Sequence, residues 1–159
     1  MRYFDVKRWI AAGLTGAITF WLFQILTGPS TIPQFIGQEI VSQGEYPEAL
    51  TVPFGWGVHL GVSLSYSLLF ALIMLIPSSS SESVRVLIGV LIAALLGWIT
   101  TLLTAPAITV TISILSREGL PSGVPELNTT FGLPFWNHLL FFGVVWLMYA
   151  LIPHLRGKM

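Results

Sequence analysis

Four long apolar stretches constrain this chain more than any other feature of its sequence. An α-helix needs about 20 mostly apolar residues to cross the hydrocarbon core of a bilayer. The stretches that meet this requirement are approximately residues 9–28, 54–76, 86–105 and 134–152. Only 9% of the 159 residues are charged and 54% are hydrophobic, whereas a soluble domain has about 25% charged residues. The chain is therefore predicted to be an integral membrane protein.

The backbone inside a bilayer must satisfy its own hydrogen bonds, so the four spans are predicted to be helices. We expect an all-α fold, with residues 1–159 forming a single integral membrane domain around a four-transmembrane-helix bundle. The loop from 30 to 52 has apolar residues at helical spacing, which predicts a further short helix at the interface. Prolines are expected to end the spans, and the one after the third span either ends or kinks it. These prolines are Pro29, Pro77, Pro106 and Pro153.

The basic residues predict the orientation of the chain. The N-terminal segment, the serine-rich turn after the second span and the C-terminal tail hold six of the seven Lys and Arg residues. The two long loops hold only Arg117 and five acidic residues. The positive-inside rule then places both termini in the cytoplasm.

The two halves of the chain resemble each other, which predicts a tandem repeat of two helical hairpins. Superposing the first span on the third aligns Trp21 with Trp98, and both spans end on Leu-Thr-small-Pro. The second and fourth spans align through His59 and His138, each a few residues after a Pro-Phe pair. Because both halves have the same orientation, a pseudo-two-fold axis along the membrane normal would relate them.

His59 and His138 are the candidate metal ligands, because the predicted axis places them at equal depth on opposite sides. Imidazole is a usual ligand for the iron of haem, so the pair predicts a haem b that passes single electrons. The residues expected to complete the cofactor site are Gly57, Gly61, Ser63, Asn137 and Phe142. A chlorophyll-type pigment bound through one histidine, or no cofactor at all, is the alternative. In that last case the histidines would only form hydrogen bonds between helices, as lone membrane histidines commonly do.

Several function classes are disfavoured. The spans contain no Asp, Glu, Lys or Arg in their interior, which argues against a proton-coupled transporter. No nucleophile–base pair, phosphate loop or zinc motif is present, so we do not expect an enzyme. The formal net charge is zero, which gives no reason to expect a nucleic-acid partner. A channel would need a continuous polar lining, which the apolar spans do not supply.

Short motifs in the spans resemble a known group of proteins. Gly57-Val58-His59-Leu60-Gly61 and Asn137-His138-Leu139-Leu140 accompany a glycine-rich first span and a Gly-x-x-x-Ala third span that ends near Pro106. This order of features resembles the uncharacterised small four-span bacterial inner-membrane proteins of the YagU type. The resemblance implies the four-span layout and a prokaryotic inner membrane, and it brings no established activity.

Together these features predict a small integral membrane subunit of a multi-subunit energy-converting, electron-transfer complex, with haem b as its cofactor. The alternative is a non-redox structural or assembly subunit. The expected partners are the lipid bilayer and the other subunits of the complex.

Overall fold

The computed structural model describes residues 5–76 and 81–156, with side chains up to residue 150. Within these ranges the chain forms five α-helices and one short 3-10 turn at Glu48–Leu50, and no strand. The helices are α1 Val6–Thr27, α2 Ile32–Gln43, α3 Thr51–Ile73, α4 Glu82–Leu115 and α5 Leu133–Arg156. Four of them, α1, α3, α4 and α5, are long and apolar enough to cross a membrane. The all-α fold with four long packed helices is confirmed, as is the short helix in the first long loop.

The first helix holds the bundle together. α1 packs along both α3 and α5, and α4 packs along α5, while α3 and α4 make little contact with each other. The predicted two-fold axis would make the α1–α5 pair equivalent to the α4–α3 pair, and these two pairs pack very differently. The packing therefore lends no support to the tandem repeat, which stays a prediction together with its pseudo-two-fold axis.

Helix α2 covers one end of the bundle. Its buried Ile36 and Ile40 pack against Ile112 of α4, and its backbone lies directly on α3. A Cβ atom at Gly37 would lie 2.1 Å from the Thr51 carbonyl oxygen, and one at Gly55 would lie 1.9 Å from the Pro33 carbonyl oxygen. Only glycine permits this approach of two backbones.

Helix α4 passes through Pro106 instead of ending there. Its 34 residues give a length of about 51 Å, well beyond the hydrocarbon core of a bilayer. Pro106 has no N–H group to donate to the Leu102 carbonyl. The backbone N–H of Asn128, in the loop before α5, donates to that carbonyl instead, with an N···O distance of 3.1 Å. The freed acceptor is thus satisfied, and the helix can continue to Leu115.

The last helix also continues past a proline. The prediction that the fourth span ends at Pro153 is wrong, since α5 extends to Arg156. Pro153 cannot donate to the Tyr149 carbonyl, and the guanidinium of Arg8 donates to that oxygen instead. The guanidinium also lies 4.7 Å from the centroid of the Tyr149 ring. Pro77 and most of the serine-rich turn lie outside the described residues.

Candidate functional site: a cavity lined by two histidines

All five α-helices line one cavity, which has a volume of about 150 Å³. Most of its lining is apolar, but five of its side chains are polar and buried. These are Gln24 of α1, His59 and Ser63 of α3, and Asn137 and His138 of α5. Buried polar groups are costly in a membrane protein and mark candidate functional sites.

The first histidine is anchored to the central helix. His59 is 6% exposed, and its Nε2 lies 3.0 Å from the Ala17 carbonyl oxygen of α1. A carbonyl oxygen can only accept, so Nε2 carries the proton and Nδ1 of the neutral ring is an acceptor. The His59 ring also contacts Trp56 edge-on, with centroids 5.6 Å apart.

The second histidine is anchored within its own helix. His138 is 8% exposed, and its Nδ1 lies 2.7 Å from the Pro134 carbonyl oxygen in the first turn of α5. The proton is therefore on Nδ1, and Nε2 is the acceptor. The nearest donor to Nε2 is the Thr104 hydroxyl, at 3.4 Å, but that hydroxyl already donates to the Thr100 carbonyl over 2.7 Å.

Beside His138, the side-chain oxygen of Asn137 lacks a partner among the described residues. Asn137 is 5% exposed and lines the cavity. Its Oδ1 is buried without a hydrogen bond to any of the described residues. Buried side-chain oxygens in folded proteins nearly always have a partner, so an unpaired one calls for a specific explanation.

The structure separates the predicted site residues into two groups. His59, Ser63, Asn137 and His138 line the same cavity, as predicted. Gly57 and Gly61 do not: both are on the exposed face of α3, and an added Cβ would meet nothing within 4 Å. Each is two residues from His59, which is about 200° around a helix, so neither can share its face.

Phe142 was also predicted to line the site, and the structure places it elsewhere. It is fully buried in the hydrophobic core, and its neighbour Phe141 lines the cavity instead. One residue turns a helix by about 100°, which is enough to move a side chain from the cavity to the core.

Three further residues line the cavity that the sequence does not single out as site residues: Phe20 and Gln24 of α1 and Thr104 of α4. The ring of Phe20 lies 5.6 Å from that of His59 and 5.5 Å from that of His138, measured between centroids. Gln24 is the one strongly polar side chain inside the first span, and this was the available signal for it. Its Oε1 accepts from the backbone N–H of Ile32, over 2.9 Å, and so joins α1 to α2.

The residues of this cavity do not fit haem b. A cavity of about 150 Å³ holds a molecule of the size of benzene, whereas a porphyrin joins four pyrrole rings around its iron. Phe20 contacts both imidazoles, so a macrocycle could not lie between them unless this ring moved away. A chlorophyll-type macrocycle meets the same obstacle. Across the part of the chain that the structure describes, no three His, Asp or Glu side chains form a metal site.

We expect the reduced-minus-oxidised absorption spectrum of the protein, isolated from its native membrane, to show no haem band from this chain. The reason is the size of the cavity and the position of Phe20. A Soret band that disappears in both His59→Ala and His138→Ala but persists in Ser65→Ala, an exposed position, would contradict this expectation.

Comparison with protein-family models, with curated proteins and with solved structures finds no match to this chain.

Proposed function

We propose that this chain is a non-redox membrane protein that binds a small uncharged molecule in the cavity between its helices. The observation that carries the proposal is the buried Asn137, whose Oδ1 has no partner among the described residues and whose side chain lines the cavity. A bound ligand that donates a hydrogen bond would satisfy this oxygen. Without such a donor, the buried unpaired oxygen destabilises the fold by about 1–3 kcal/mol.

The ligand is uncharged because nothing around it would balance a charge. Among the described residues that line the cavity there is no Asp, Glu, Lys or Arg. Burial of an isolated ion in such a place is far more costly than burial of a neutral polar group.

The ligand carries a hydroxyl group because the cavity offers acceptors. The Ala17 carbonyl accepts a hydrogen bond from the N–H of His59, and the Pro134 carbonyl accepts one from the N–H of His138. The other ring nitrogens, His59 Nδ1 and His138 Nε2, are left as acceptors. Asn137 Oδ1 is a third acceptor. A hydroxyl group can donate to one of these atoms, whereas a group with only lone pairs cannot.

Phenol is the smallest probe that tests this proposal, because it combines a benzene-sized ring with a donating hydroxyl. In protein labelled with ¹⁵N-histidine, we expect phenol to shift the imidazole resonances of His59 and His138 in a saturable titration. Anisole has the same ring but a methylated oxygen that cannot donate. It should bind at least about tenfold more weakly, the equivalent of 1.4 kcal/mol.

Asn137→Leu should weaken the binding of phenol by a similar factor, since this substitution removes the unpaired acceptor. Gln38→Leu is the matched control, because that amide is exposed on α2 and does not line the cavity. Equal affinity for phenol and anisole in the wild-type protein, or no saturable shift with phenol, would overturn the proposal without reliance on either variant.

The predicted role as a subunit of a larger membrane complex remains a proposal beside this one. Gly57, Gly61 and Ser65 form an exposed small-residue seam on α3. Such seams allow a second transmembrane helix to approach closely. This seam lies outside the cavity, so a partner helix and a bound ligand would not compete.

A further inference from the structure

The cavity opens towards the side of the bundle, between α3 and α4. These two helices make little contact with each other, although each packs closely on another helix. Val62 of α3 and Ala107 of α4 both line the cavity, and both are exposed on the surface, Val62 to 41%. Val62 is near the middle of α3, which is itself long enough to span the membrane. An opening at this height faces the hydrocarbon of the bilayer.

Buried side chains lie at both ends of the cavity. At one end, Ile32 and Ile36 of α2 line it, and Ile36 is buried against the rest of the bundle. At the other end, the Tyr66 ring lies 5.8 Å from that of Phe142, measured between centroids. Phe142 and Phe70 are fully buried there.

We infer that the ligand is a lipid-soluble molecule with a single-ring, hydroxyl-bearing head, which enters from the bilayer between Val62 and Ala107 and leaves its apolar tail in that opening. This inference rests on the proposed function and adds the route of entry and the chemical class of the ligand. The head must be small, because a cavity of about 150 Å³ has space for one six-membered ring.

The head is a ring because five of the side chains that line the cavity are aromatic. Phe20, Tyr66 and Phe141 line the cavity together with the two imidazoles. Aromatic rings pack favourably edge-to-face or offset against one another. The buried polar side chains of the lining are on α1, α3 and α5, so the hydroxyl points inwards and a tail is directed to the lipid.

The test uses 4-octylphenol that carries a diazirine at the end of its tail, with the full-length protein in phosphatidylcholine vesicles. After irradiation, labelled positions are identified by mass spectrometry, with and without an excess of unlabelled phenol. We expect the label that phenol displaces to lie on exposed side chains of α3 and α4 beside the opening, at Val62, Ala107 and Leu103. Label that phenol does not displace reports general contact with lipid.

Val62→Trp should reduce the displaceable label at least about tenfold, because the indole fills the opening. Leu72→Trp is the control, since Leu72 is exposed on the same helix but does not line the cavity. If Val62→Trp does not fold, the positions labelled in the wild-type protein still show whether the ligand enters between α3 and α4.

The two proposals fail separately. Displaceable label on α2 or on the loop before α5, or none at all, would overturn entry from the bilayer, while saturable histidine shifts with phenol would leave the proposed function standing. Absence of those shifts would remove the proposed function, and this inference with it.

Discussion

Replacing Gly55 by alanine is expected to lower the free energy of unfolding by about 3 kcal/mol or more, at the upper end of the cost of overpacking. The new methyl group would lie 1.9 Å from the Pro33 carbonyl oxygen. That oxygen is part of the backbone in the first turn of α2 and cannot rotate away as a flexible side chain would. The whole of α2 must move off α3, and its buried Ile36 and Ile40 would lose contacts.

Gly57→Ala is the matched control for this substitution. Gly57 is in the same helix, two residues on, and an added Cβ would meet nothing within 4 Å. The same chemical change should therefore be neutral or slightly stabilising, since alanine favours helix more than glycine does. Unfolding of the purified protein in mixed micelles, followed by circular dichroism at increasing SDS, measures both variants. Equal midpoints for the two would show that α2 does not rest on α3 as described.

The helical spans could be predicted from the sequence because their apolar length has one solution in a membrane. Where the helices end could be predicted only in part: α1 ends at Thr27, just before Pro29, as expected, whereas α4 and α5 each continue through a proline. Pro106 and Pro153 each deprive a carbonyl of its helical donor, and a distant group replaces it. The donors are the Asn128 backbone N–H and the Arg8 guanidinium. Nothing near either proline in the sequence indicates these partners.

For the candidate site too, contacts within one helix could be predicted from the sequence, but contacts between helices could not. His59, Ser63 and Tyr66 recur at helical spacing, so their shared face could be recognised from the sequence. The spacing does not say which helix they face. The histidine alignment suggested two rings across an open axis, but α1 packs against both α3 and α5. As a result Phe20 lies against both imidazoles, and the Ala17 carbonyl engages one of them.

Arg8→Met is expected to cost about 2–3 kcal/mol of stability, because it removes the donor that Pro153 makes necessary. The Tyr149 carbonyl would then be left without a partner where its own helix cannot supply one, and an unsatisfied group of this kind costs about 1–3 kcal/mol. The hydrogen bonds to the Met148 carbonyl, at 3.4 Å, would be lost as well. The cation–π contact with the Tyr149 ring, worth about 0.5–1 kcal/mol at a partly exposed site, would also go.

Two further substitutions separate the hydrogen bonds of Arg8 from its charge. Lys7→Met removes the same unit of charge from an exposed neighbouring position and should change stability by less than about 0.5 kcal/mol. Arg8→Lys keeps the charge but has no planar fork to serve two adjacent carbonyls, so an intermediate loss is expected. The same SDS titration measures all three variants. If Arg8→Lys matches the wild-type protein, an ammonium donor is sufficient at this position, and the carbonyl freed by Pro153 does not need a guanidinium.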